Sequence, residues 1–270
     1  MFRKSNRITI LIHKLKHCII SSKCQVLSVS FSKIIWIKIT NEQSKPISSG
    51  KWFQLGLLNC RSIVNKDDII NVLTTEHSID SFALTETWTN AVPFPDSSAC
   101  TPDGYSFTDQ PRVSGRGGGI GLLLSQSVHR KPIKVPSYNS FEVLALSLQL
   151  PNRIIKQFII YRPPPSAANG YTFTQFIDEF TDVLAYANST HQNCLIVGDF
   201  NIHVDNPLSS EGTRFNELLI EHGFIQHVSF PTHTKGHTLD LVITQRDSML
   251  VHSVDYTDPC ISDHRASSRY

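Results

Sequence analysis

The stretch "NCLIVGDFNIHVD", residues 193–205, decides the reading of this chain. Four apolar residues, Cys194 to Val197, run straight into Gly198, Asp199, Phe200 and Asn201. A short apolar run of this kind is a buried strand, and this one stops on a glycine and then presents a carboxylate and a carboxamide. Side chains two apart on an extended chain point the same way, so Asp199 and Asn201 can reach one object together. The same arrangement recurs along the sequence. Asn59 follows "LGLL", Glu86 follows "FALT" and Tyr161 follows "FII", while Asp240 lies inside "TLDLVIT" and Asp263 with His264 closes the last motif. Strand ends on one edge of a sheet converge on one crevice, where ligands usually lie. Carboxylates beside two carboxamides, with no cysteine, make a hard oxygen site suited to Mg²⁺, with Mn²⁺ as a substitute. A histidine beside them adds a group that moves protons near neutral pH.

Around this stretch the hydrophobic pattern predicts a regular domain. Strands are expected in "FQLGLLNC", "SIDSFALTETW", "GGGIGLLLS", "FEVLALSLQL", "IIKQFIIYRPP" and "TLDLVIT". Helical spacing predicts helices in "KDDIINVLTTEH", "FTQFIDEFTDVLAYA" and "TRFNELLIEHG", the last capped by Gly223. Strands dominate and helices separate only some of them. The expected fold class is therefore α/β, with two packed mixed β-sheets flanked by helices in a four-layer sandwich. "GRGGGIG" lacks the G-x-G-x-x-G spacing of a nucleotide loop and opens a strand, so it reads as a turn.

The 270 residues are 40% hydrophobic and 18% charged, which is a globular composition. The formal charge of +2 hides an asymmetry. Residues 1–54 hold ten Lys and Arg against one acid, and residues 55–270 hold fifteen against twenty-two. Residues 1–52 read as a basic, poorly ordered extension ending in the linker-like "NEQSKPISSGK", with a nucleic-acid-binding arm as the alternative. "SVSFSKIIWIKI" alternates enough for a strand but has no visible partner. Residues 53–270 form the domain. Six cysteines without C-x-x-C spacing argue against a zinc cage and fit a reducing compartment. No apolar run approaches the roughly 20 residues of a membrane span, so no membrane partner is expected.

The series "LLNCRSI", "LTETW", "IIYRPP", "LIVGDFN", "HTLDLVIT" and "SDH" resembles the endonuclease/exonuclease/phosphatase superfamily. More narrowly it is similar to the apurinic-type endonuclease domain of non-LTR retrotransposons, the long interspersed elements. "NCRSI", "GRGGGIGLLL", "YRPP" and "GHTLDLV" carry that narrower likeness, and the motifs span residues 53–264 in order. The resemblance implies roles. Glu86 matches the principal magnesium ligand, and Asn59 an asparagine beside the metal and the scissile phosphate. Asp263 matches a neighbour that helps place metal or water. Tyr161 matches a tyrosine on that phosphate, with Thr232 as a further phosphate neighbour. Asp199 and Asn201 match the pair that positions attacking water and departing oxygen. Asp240 matches the aspartate that orients a histidine, here His264. The general base stays open between Asp199 and His264.

The implied activity is Mg²⁺-dependent hydrolysis of a DNA phosphodiester, leaving a nick with a 3′ hydroxyl. In such elements that hydroxyl primes reverse transcription at the target. A phosphatase on small phosphorylated substrates and a non-catalytic retroelement relic are the alternatives. Family members continue after "SDH" with a strand and a reverse transcriptase domain, so this domain is expected to lack its last strand and the polymerase partner. A nicking enzyme without export signals is expected in the nucleus. Arg112, Arg116, Arg130, Lys131 and Lys134 are either DNA-facing or simply solvated. Trp88, His203 and His233 belong either to the crevice or to ordinary packing.

Overall fold

Twelve strands and three helices occupy the described residues, which in this computed structural model are 32–40, 52–89, 99–112, 117–166, 169–189 and 193–258. In chain order they are β1 (Ile34–Ile39), β2 (Phe53–Asn59), α1 (Asp67–Glu76), β3 (Ser81–Thr85), β4 (Tyr105–Gln110), β5 (Ile120–Ser125), β6 (His129–Pro132) and β7 (Glu142–Gln149). There follow β8 (Ile154–Tyr161), α2 (Phe173–Ser189), β9 (Asn193–Asp199), α3 (Ser210–Glu221), β10 (Phe224–Gln226), β11 (Asp240–Gln245) and β12 (Val251–Thr257). One sheet has the order β12-β1-β2-β3-β5-β4 and the other β10-β11-β9-β8-β7-β6. Each is mixed, with one parallel pair, β2 with β3 and β8 with β9.

The period of two in the strands sorts the apolar residues into layers. In β1, Ile35, Ile37 and Ile39 join Leu55, Leu57, Leu122, Ile159, Leu195 and Val197 between the sheets, while Ile34 and Trp36 face the opposite way. That outer face of the first sheet packs Phe82 and Leu84 against Ile70 of α1. The outer face of the second packs Phe158 and Ile196 against Phe176 and Phe180 of α2 and Phe215 of α3. Helix, sheet, sheet and helices make the four expected layers, and burying each such side chain contributes about 1.5–3 kcal/mol. Among the described residues no helix is long and apolar enough to cross a membrane.

A strand precedes residue 53, where the domain was expected to begin. β1 lies inside the segment read as a poorly ordered extension, yet it is paired antiparallel on both sides, with β2 and with β12. Its missing partner is 221 residues away, where Trp36 Nε1 donates to Thr257 Oγ1 at 3.0 Å. β2 consequently has a neighbour on each side. The remainder of residues 1–52, and residues 259–270 where a last strand was expected to be missing, lie outside the described residues.

Gly198 explains the glycine of the opening motif. It has φ 152°, and a Cβ there would run into the backbone carbonyl of Ile160 on the parallel neighbour β8. Neither strand can yield without breaking the sheet beside the crevice. Gly198→Ala is therefore expected to cost about 3 kcal/mol or more. Thermal unfolding should show a midpoint lowered by roughly 6–12 °C; a change under about 2 °C would contradict the close approach.

Candidate active site

Pairing register lines the site residues up. Tyr161 on β8 is opposite Asp199 on β9, and Asp199 is opposite Asp240 on β11. The row extends to β7, where Glu142 is opposite Tyr161. On the facing sheet Asn59 ends β2 beside Thr85, the last residue of β3, and Glu86 follows. All these positions sit at one end of the two sheets.

Asn59 clasps the sheets together. Its Nδ2 donates to Glu86 Oε1 at 2.8 Å and to Asp199 Oδ2 at 2.7 Å, using both amide hydrogens. Its Oδ1 accepts from the Arg61 amide at 3.1 Å. The other oxygen of Glu86 accepts from Trp88 Nε1 at 3.1 Å, which places Trp88 in the crevice. Five non-glycine residues here have positive φ: Arg61, Ser62, Glu86, Trp88 and Asn201. Such backbone costs of order 1–3 kcal/mol per residue and persists only where the surroundings over-determine it.

The "GDFN" turn is anchored from beneath. Phe200 enters the aromatic core on α2 and α3. Asn201 lies past the strand rather than on it, and its φ of 49° bends it back. Its amide N–H donates to Asp199 Oδ1 at 3.0 Å and its Nδ2 to the Arg162 carbonyl at 2.8 Å. Asp199 and Asn201 thus meet through a turn, not through strand alternation. Arg162, 2% exposed, donates from Nη1 to the carbonyls of Phe200 and Asn201, both at 3.2 Å. Sequence reading passed over this buried guanidinium, although "YRPP" marks it.

Thr232 stands behind the row. It is fully buried, and its Oγ1 accepts from the amides of Leu239 and Asp240 at 3.0 and 3.1 Å. This fixes Asp240, whose Oδ1 is buried without a hydrogen-bond partner among the described residues. Asp263 and His264 lie outside them.

The carboxylates strain one another. Burial, then Asp240 and Glu86, raise Asp199 well above the usual carboxylate range. Burial, with Glu86 adding to it, pushes Asp240 up to about 6. A cation would relieve this. Among the described residues no three His, Cys, Asp or Glu side chains form a ready metal cage. Mg²⁺ takes one or two carboxylates and completes its shell with water and substrate oxygens. Glu86 and the neighbouring Asp199 fit such a donor set, while Asn59 turns its amide hydrogens toward both of them, and the Oδ1 of Asp240, without a partner among the described residues, marks a further unfilled need.

The profile of the Endonuclease/Exonuclease/phosphatase family matches residues 56–264. The chain belongs to that family. Every described residue of the endonuclease/exonuclease/phosphatase row and clasp falls inside the matched span. Among solved structures, the endonuclease domain of TRAS1, a telomere-specific non-LTR retrotransposon, is 11% identical with a TM-score of 0.56, covering 72% of this chain and 85% of that one. An AP endonuclease from Archaeoglobus fulgidus is 14% identical with a TM-score of 0.51, covering 72% and 86%. At such identities the likeness establishes the shared fold. No curated protein matches the chain.

Other conspicuous side chains are placed as well. His233 Nε2 lies 2.9 Å from Arg61 Nη2, at the crevice wall. His203 stacks on His237 with ring centroids 4.0 Å apart. Arg130, Lys131 and Lys134 are exposed, Arg130 against Ser106, and Arg116 lies outside the described residues. Arg112 is ion-paired with Glu142. Glu142 escaped sequence reading because it begins an ordinary alternating strand, and only pairing register brings it beside Tyr161.

Proposed function

We propose that this chain is a Mg²⁺-dependent DNA endonuclease of the retroelement type, producing nicks with a 3′ hydroxyl. The observation that carries the reading is the Asn59 clasp, which holds Glu86 and Asp199 within reach of one phosphate at the mouth between the sheets. In the reaction a water oxygen bonds to phosphorus while the bond from phosphorus to the 3′ oxygen breaks. The departing oxygen takes up a proton, and a 5′ phosphate remains on the other side. Negative charge builds on the phosphoryl and departing oxygens. Mg²⁺, held by Glu86, would offset several kcal/mol of it.

The protein's own groups do the rest. Burial first, then Glu86 and Asp199, hold the Tyr161 hydroxyl far above its ordinary pKa, so it remains a proton-bearing donor to a phosphate oxygen. Asn201, fixed by Arg162, places its carboxamide beside Asp199. Asp240, with one buried oxygen that has no partner among the described residues, suits the task of orienting the His264 imidazole. Asp199 and His264 both remain candidates for the base. The partner is DNA, and "NCRSI", "YRPP" and "GHTLDLV" support a parent element whose reverse transcriptase extends the nick. Such a reaction belongs in the nucleus.

The test is conversion of supercoiled plasmid to open circles with Mg²⁺, Mn²⁺ or EDTA, followed by polymerase extension from the nick. Nicking with either metal, none in EDTA, and extendable ends are expected. A folded protein that leaves plasmid intact in Mg²⁺ and Mn²⁺ would overturn the reading, and phosphate release from a small phosphomonoester would replace it with the phosphatase.

A further inference from the structure

We propose that Glu142 and Arg112 form a positioning pair for Tyr161, a clasp between the sheets beside the catalytic row. Neither residue needs to touch the scissile phosphate. The inference rests on the endonuclease reading for its kinetic arm alone.

The geometry starts from register. Glu142 opens β7 directly opposite Tyr161, so the two Cα atoms are cross-strand partners in the second sheet. Both oxygens of the carboxylate then reach across to the first sheet. Oε1 accepts from Arg112 Nε at 2.5 Å, and Oε2 accepts from the Gly119 amide at 2.6 Å. Both side chains are 19% exposed, so this is a largely desolvated charged pair. The Arg112 guanidinium lies 5.5 Å from the centroid of the Tyr161 ring, within cation–π range. The Tyr161 hydroxyl is also within its hydrogen-bonding reach.

The second oxygen links Tyr161 to Glu86. Gly119, which Glu142 holds, accepts through its carbonyl from the Thr87 amide at 3.2 Å, and Gly118 accepts from the Trp88 amide at 2.8 Å. Those two amides belong to the strained segment that begins at Glu86. One carboxylate therefore sets the distance between the backbone carrying Glu86 and the strand carrying Tyr161. The "GRGGGIG" turn acquires a purpose by the same contact, because it presents the Gly119 N–H to Glu142.

Burial opposes charge on both partners. It raises Glu142, against the pull of Arg112, and it would lower Arg112 were Glu142 and Tyr161 not holding that group above its ordinary value. Breaking one side leaves the other charge buried and unmatched, which is why such pairs are costly to interrupt. Gln at position 142 keeps the shape but turns an N–H donor toward either the Gly119 amide or the Arg112 guanidinium. Lys at 112 keeps the charge and loses the planar fork.

The test compares Glu142→Gln and Arg112→Lys with the parent protein, each checked by thermal unfolding. In plasmid nicking, kcat is expected to fall about 10–100-fold with KM for DNA within about threefold. Glu142→Gln added to Tyr161→Phe should lower the rate no further than Tyr161→Phe alone. A structural role would instead multiply the two losses, and that result overturns the proposal. The second arm needs no activity. With tyrosine labelled at Cζ, the Tyr161 resonance, assigned through Tyr161→Phe, should move in both variants while those of Tyr138 and Tyr186 stay. An unmoved Tyr161 resonance in folded variants refutes the pair. Should the parent protein fail to nick, the endonuclease reading falls, and this spectrum still decides the positioning pair.

Discussion

Glu86→Ala is expected to lower Mg²⁺-dependent plasmid nicking by about 10³-fold or more while leaving the fold in place. Glu86 supplies a carboxylate at the first sheet's edge, held by Asn59 Nδ2 on one oxygen and Trp88 Nε1 on the other. Losing it removes the anchor for the cation and with it several kcal/mol of charge stabilisation in the transition state. Stability should change little for two opposing reasons. Alanine leaves the Asn59 and Trp88 donors without their acceptor, and it also removes a negative charge that raises both Asp199 and Asp240. The checks are nicking rates across a Mg²⁺ series and a melting curve. A variant that still nicks within tenfold of the parent, at saturating Mg²⁺, removes Glu86 from the mechanism. Glu86→Gln, which preserves shape and loses charge, should behave like the alanine variant.

The second large effect has opposite signs in stability and activity. Asp199 and Asp240 face each other across β9 and β11 and share a buried site, so they release their protons as a pair. Burial, then neighbouring carboxylates, raises both, Asp240 to about 6 from an ordinary 3.8. A carboxyl whose folded pKa lies above its unfolded one stabilises the fold below the unfolded value. That contribution is lost as pH rises through the folded value. In EDTA the protein should therefore melt at progressively lower temperature as pH climbs from about 4 to past 6. Asp240→Asn should flatten that slope and raise the midpoint at pH 7.5 by about 3–6 °C, allowing for the new amide donor. Nicking should fall at least about 10²-fold, because an amide cannot hold an imidazole in the same tautomer. Mg²⁺ should raise the melting point of the parent protein more than that of the variant. A variant less stable than the parent in EDTA at pH 7.5 would contradict the account of buried charge repulsion.

These expectations show which parts of the molecule its sequence exposes. "LIVGDFN" could be read because each letter has a local cause: an apolar strand, a glycine under a neighbouring carbonyl, a carboxylate at the strand end and a phenylalanine in the core. The two-sheet sandwich followed from strands of that quality. The edges did not. β4, β6 and β12 are partly or wholly exposed, so no run of buried apolar residues marks them. β1 does alternate, but its partners are set by tertiary pairing that local pattern cannot express. The same limit governs the site. Thr232 and Asn59 look alike as polar residues near strands, yet one supports Asp240 from inside and the other bridges two sheets. Glu142 reads as the first residue of an ordinary alternating strand, and only register brings it beside Tyr161.

The pairing of β1 with β12 has a consequence for how the chain is made. A ribosome adding roughly 5–20 residues per second needs about 10–45 s to travel the 221 residues from Trp36 to Thr257. Throughout that interval the outer border of "IIWIKI" has open amides and carbonyls, with Lys38 as its sole formal charge. Nascent chains halted before Val251 should therefore be sticky and dependent on holdase chaperones, and emergence of β12 should be the event that closes this border.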